Sequence, residues 1–259
     1  MKKTFLLAWI IQVFCLLTNK RKPCLAKETE YFLFYSNTVL VKHDMLFKFM
    51  ENEFLNLCRK YSVNVKNKIT VTIYCSIRSF HTALNAKNAA EWFSGAFYKD
   101  RIMLVSPFNP GKAHTYESIF RVAKHELTHL ILYQINNDIP VWLNEGLAAY
   151  EAQQMTTERI IFLKRMIRTG TIPTIKELEI DFVKNNGFQF SYTIIDFLLS
   201  NYNTGILLDI LKTPSAFYTL LDMTAADFHK KWTDFLIKKY ALMIDQVTVN
   251  YIVTAKKQH

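Results

Sequence analysis

The chain has 259 residues, half of them hydrophobic and 14% aromatic, with six glycines, six prolines and a formal net charge of +10. That length and apolar content can fill a sizeable core and exclude a disordered, low-complexity or solenoid chain. The first 26 residues hold Lys2, Lys3, Lys20, Arg21 and Lys22 and no acid, and removing these five from the formal charge leaves +5. The remaining basic residues are spread along the chain without aromatic clustering, so no nucleic-acid partner is expected.

Residues 1–26 read as a targeting segment: two lysines, an apolar run over 5–17, then Cys24-Leu25-Ala26 with small residues at the last and third-last positions. An exported chain, periplasmic or secreted, is expected. Because Lys20-Arg21-Lys22 follows the apolar run, the alternative is an uncleaved anchor that tethers the chain to a membrane through residues 4–18. Residues 27–259 read as a single domain. Beyond residue 26 only Cys58 and Cys75 remain, which either form one disulfide or stay as two thiols.

Aromatic and β-branched residues with partial alternation predict strands over 28–36 and 68–76, and helical spacing over 42–61 separates them. Tyr31, Phe32, Phe34 and Tyr35 are expected in the core. A helical stretch near 82–92 precedes a strand over 101–106, which Pro107 and Pro110 end. From Thr115 the pattern is helical. Thr115 caps a helix with Glu117 in its first turn and apolar residues from Ile119 to Ile131, until Asn136-Asn137-Asp138 stops it. Further helices are expected over 142–154, 158–168, 191–201, 205–211 and 225–243. Strands first and helices after make the chain α+β, a mixed N-terminal sheet followed by a mainly helical C-terminal half.

His125-Glu126-Leu127-Thr128-His129 places two imidazoles four residues apart on one helix face, where both reach a single zinc ion. Glu126 lies one step round the helix, placed to act as general base towards water without being a ligand. Such a site takes a third protein ligand and keeps one position open. Glu145 is the candidate, on the next helix after a short turn; Glu151 on the same helix is the competitor. Gly146, Ala148 and Ala149 remove bulk beside Glu145. His43, His81, His114 and His229 have no motif around them and are expected at surface or capping positions, with His114 an alternative polar donor.

Trp142-Leu143-Asn144-Glu145-Gly146-Leu147-Ala148-Ala149-Tyr150 resembles the second zinc-ligand motif of the gluzincin metallopeptidases, and the spacing is similar to that of the small peptidase-MA-like domains. Phe190-Ser191-Tyr192 and Asp227-Phe228 followed by Trp232 fit that family more loosely. The resemblance implies a zincin-like fold, Zn²⁺ held by His125, His129 and Glu145, and a peptide or protein substrate. It also implies an edge strand before the metal helix that pairs with extended peptide, here residues 101–106, and an oxyanion donor, Tyr192. Two departures stand out. The aminopeptidases place a glutamate shortly after a Gly-Ala pair, whereas Gly95-Ala96 is followed by Phe97, Tyr98 and Lys99. The thermolysin-like enzymes have an aspartate four residues after the third ligand, where this chain has Ala149. The missing amino-group anchor favours an endopeptidase over an exopeptidase. The rival expectations are a zincin-like binding module without turnover and a zinc hydrolase of a non-peptide bond.

Overall fold

The structure, a computed structural model, describes residues 23–36, 43–98 and 100–255. The expected 4–18 tether and most of the targeting segment lie outside the described residues. Among the described residues no helix is long and apolar enough to cross a membrane. The architecture is the expected α+β, and the chain divides into two compact units, residues 1–134 and 135–259.

The first unit is built on a five-stranded mixed sheet. Its strands are β1 (Cys24–Glu28), β2 (Phe32–Ser36), β3 (Ile69–Tyr74), β4 (Gly95–Tyr98) and β5 (Arg101–Val105), in the order β1-β2-β3-β5-β4. The three central strands are parallel, and β1 and β4 run antiparallel at the two edges. Strict alternation in Phe32-Leu33-Phe34-Tyr35-Ser36 and Ile69-Thr70-Val71-Thr72-Ile73 buries every second side chain, which fixes the register. Helix α1 (Asp44–Tyr61) covers part of this sheet through Phe47 on Phe34 and Phe54 on Phe32, with ring centroids 4.2 and 5.5 Å apart. The short helix α2 (Ile77–Ala83) starts at a Ser76/Ser79 capping box, and its Phe80 packs with Val105 and Ile119.

Two expectations are corrected here. Residues 101–106 do not form an edge strand: β5 lies between β3 and β4, and the edge next to it is Gly95–Tyr98. The chain turns back after Tyr98, so that Tyr98 pairs with Arg101 and Gly95 with Leu104, which places the later strand inside. The helix expected over 82–92 ends at Ala83, and residues 84–94 run through turns to the start of β4. Cys58 is a free thiol, so of the two readings for Cys58 and Cys75 the one without a disulfide between them holds.

The metal-motif helix α3 (Tyr116–Ile135) is capped as expected. Thr115 Oγ1 accepts from the Ser118 amide at 3.2 Å, and Ser118 Oγ accepts from the Thr115 amide at 2.9 Å. Phe120 meets Phe49 of α1 at 5.2 Å, and Lys124 pairs with Glu53 of α1 at 2.7 Å.

The second unit is all helical: α4 (Val141–Glu151), α5 (Thr157–Arg168), α6 (Ile175–Ile180), α7 (Gly187–Asn201), α8 (Thr204–Lys212), a 3₁₀ turn (Pro214–Ala216), α9 (Phe217–Leu220) and α10 (Ala225–Ala255). Helices α4 and α7 approach so closely that a Cβ on Gly146 would lie 2.6 Å from the Ser191 carbonyl oxygen. Behind them α10 is anchored on α7: Trp232 Nε1 donates to Thr193 Oγ1 at 3.1 Å, and Tyr240 Oη donates to Asp196 Oδ2 at 2.6 Å. Lys239 completes the anchor with an ion pair to Asp196 at 2.7 Å. Helix α7 starts four residues before the expected Ser191, at Gly187.

Candidate metal centre

Four-residue spacing on α3 sets the two imidazoles edge to face, with ring centroids 4.6 Å apart. The ligand atoms of His125, His129 and Glu145 all lie within 4.8 Å of one another. Two neutral imidazole nitrogens and one carboxylate oxygen are a donor set suited to a divalent transition metal, zinc above all, and three protein ligands leave a position open. Glu151, the competitor, is buried on α4 and does not belong to this group.

Glu126 is 6% exposed. Its carboxylate lies against the edge strand: a Cβ on Gly95 would come 2.8 Å from Glu126 Oε1 and 2.4 Å from Val122 Cγ1. Only glycine at the start of β4 leaves room for that carboxylate beside the strand's backbone.

Within the second unit Tyr192 is half-buried on α7, with its ring 5.2 Å from that of Tyr150. Burial first, then the negative charge of Asp196, push its hydroxyl up to about 12, opposed by Arg159. Tyr192 therefore stays a protonated donor across the neutral range. The same causes raise Tyr150, burial again leading. Asp196, one helical turn beyond Tyr192, is 5% exposed and held by Tyr240 and Lys239.

Arg159 was not singled out in the sequence. Its guanidinium carries the charge that both Glu145 and Tyr192 feel, and burial pulls it down from its ordinary range. An arginine in the first turn of an amphipathic helix ordinarily signals a solvated charge, and nothing in its spacing marks it out.

Among the other described histidines, His43 and His81 are buried rather than at the surface as expected, although His43 does stand at the N-cap of α1. His114 Nε2 reaches Trp92 O at 2.8 Å and Ser94 Oγ at 2.9 Å, while Nδ1 is 3.0 Å from Ser118 Oγ. Since a carbonyl only accepts, Nε2 carries the proton, and the ring ties the approach to β4 to the start of α3. His43 Nε2 is 2.9 Å from Ser106 Oγ, and His81 Nε2 donates to Phe93 O at 2.8 Å.

Residues 50–235 match the family model of the Peptidase MA superfamily. No curated protein matches the chain.

Proposed function

The chain belongs to the Peptidase MA superfamily, and from that premise we propose that it is a zinc-dependent peptidase of the gluzincin type, acting within peptide chains. The observation that carries the proposal is the convergence of His125, His129 and Glu145 within 4.8 Å, with Glu126 in the same motif. A zinc ion held by those three residues supplies Lewis acidity, polarising a carbonyl and making water easier to deprotonate.

The protein's own groups do the rest. The Glu126 carboxylate accepts a proton from the attacking water and hands it to the departing amine. Burial beside β4 keeps it oriented and shields it from bulk water. Strand β4 lies at the edge of the sheet, so substrate is proposed to extend along Gly95–Tyr98 next to Glu126. Tyr192 donates its hydroxyl to the carbonyl oxygen as charge develops there, and its raised pKa keeps the proton in place. Endopeptidase action is favoured because Gly95-Ala96 is followed by Phe97, Tyr98 and Lys99 rather than by a glutamate to hold a free amino group. Export completes the proposal; the N-terminal sequence of the protein recovered from cell fractions tests it, together with cleavage after Ala26.

The decisive variant is Glu126→Gln. It is expected to fold, hold about one zinc per chain and lose 10²- to 10⁴-fold or more in hydrolysis of a peptide library. Wild type that holds zinc, cleaves nothing and binds a partner as tightly as Glu126→Gln would establish the binding-module alternative instead.

A further inference from the structure

We propose that Arg159 is the substrate-positioning cation of this site, its Nη1 donating to an oxygen of the bound peptide beside Glu145 and Tyr192. The inference deepens the peptidase proposal and rests on it. It stands on three observations within the second unit. Arg159 Nη1 is buried from solvent and has no hydrogen-bond partner among the described residues. The guanidinium lies where its charge acts on Glu145, the expected third ligand, and on Tyr192, the expected donor. Finally, Arg159 is half-buried on α5, as Lys164 is, whereas Arg165 and Arg168 on the same helix are exposed.

A buried N–H on a charged group without an acceptor is costly, more so than on a neutral one. The cost is offset when an oxygen arrives. No described residue supplies the acceptor, and because guanidinium nitrogens only donate, an oxygen of a bound peptide suits it. The site also selects by charge. A divalent ion with two neutral imidazoles and one carboxylate keeps a positive excess, and Arg159 adds to it, so an acceptor bearing negative charge is favoured over an amine. Two peptide groups satisfy this chemistry: the carbonyl oxygens flanking the scissile bond, and a free C-terminal carboxylate. In either case Arg159 fixes how far the peptide advances past Glu145, while Tyr192 faces the reacting carbonyl.

The test uses the full chain loaded with zinc, as wild type, Arg159→Met and Arg159→Lys. The probe is a phosphinic peptide, a stable anionic mimic of the tetrahedral state, with its C-terminus free or amidated, and binding is measured by calorimetry. Arg159→Met is expected to keep zinc stoichiometry and unfolding midpoint while weakening the phosphinic peptide by about 10- to 100-fold. Arg159→Lys restores part of that, since it keeps the charge but not the planar donor fork. A loss that persists with the amidated peptide assigns the oxygen to the internal backbone; a loss confined to the free peptide assigns it to the C-terminal carboxylate. If Arg159→Met binds the probe as tightly as wild type, or loses zinc in proportion to the probe, Arg159 does not position substrate. Should Arg159→Met fail to fold, Arg159→Lys carries the test: probe affinity equal to wild type overturns the proposal. A wild type that hydrolyses peptides while its probe affinity is indifferent to Arg159 overturns this inference alone, whereas a wild type without hydrolysis sinks the peptidase proposal and this inference with it.

Discussion

Gly146→Ala decides how tightly the third ligand's helix is held. The added methyl would sit 2.6 Å from the Ser191 carbonyl oxygen, 2.9 Å from its carbonyl carbon and 3.0 Å from its Cβ, where ordinary contact begins at 3.4 Å. Two effects oppose each other. Alanine gains about 0.8–1 kcal/mol of helix propensity over glycine inside a helix. Overpacking costs about 1–3 kcal/mol when the neighbour cannot move aside, and here the neighbour is the backbone of α7, held in its own helical ladder. Because the clash under 3.0 Å is with backbone, overpacking falls in the upper part of that range, about 2–3 kcal/mol, and wins by about 1–2 kcal/mol, or roughly 2–8 °C in melting temperature for a protein of this size. The strain falls next to Glu145, so zinc affinity should fall as well, which competition with a chelator reads directly. A Gly146→Ala protein with unchanged melting temperature and unchanged zinc affinity would refute the claim that this close approach places Glu145.

Gly95→Ala should act on catalysis more than on the fold, because its methyl would press on Val122 and on the Glu126 carboxylate. A base displaced by about 1 Å costs on the order of 10²-fold in kcat with zinc retained; a fully active variant would remove the constraint on Glu126. Tyr192→Phe should keep zinc and lower kcat by roughly 10- to 1,000-fold, the scale of one lost oxyanion donor, and unchanged turnover would return Tyr192 to the packing of α7. The same residue sets a pH window. Its folded pKa of about 12 lies above the unfolded value of 10, so the unfolded chain gives up the proton first as pH rises. Its contribution to stability is whole below about pH 10 and is lost as pH rises towards 12. Denaturant titrations across that window should show a shallower decline for Tyr192→Phe than for wild type.

The parts of the molecule legible in the sequence are those where burial repeats with a period. Alternation in β2 and β3, the capped apolar stripe of α3 and the Trp142–Tyr150 stretch of α4 each state their own conformation, while His125, His129 and Glu145 were read from the His-Glu-x-x-His motif and the resemblance around Glu145, and they form the group that could hold a metal ion. The edges of the sheet were not legible. Every residue of β1 is exposed, so its Cys-Leu-Ala-Lys-Glu carries no alternation to mark it as a strand. Strand β4 has four residues, begins with glycine and comes after a run of turns, which leaves too little pattern to read. Its position is set by pairing with Ile102–Leu104, a tertiary fact that also moved residues 101–106 off the edge. Arg159 escaped for a different reason. Its significance comes from which atoms surround one nitrogen, and α5 offers only Leu163 as a buried residue to show which way it faces.

The two sheet edges differ in what they invite. On one side β1 is wholly exposed, carries Lys27 and Glu28, and breaks register between Leu25 and Lys27, features that discourage another strand from docking. On the other side β4 presents Gly95-Ala96-Phe97-Tyr98, without a charge and without a bulge. An open, uncharged edge is also the template on which copies of a chain stick to one another. Brevity is its safeguard, since four residues fall short of the six or seven that make a self-assembling segment. Substitutions that lengthen β4 or flatten its turn into β5 would therefore be expected to show up first as aggregation during expression.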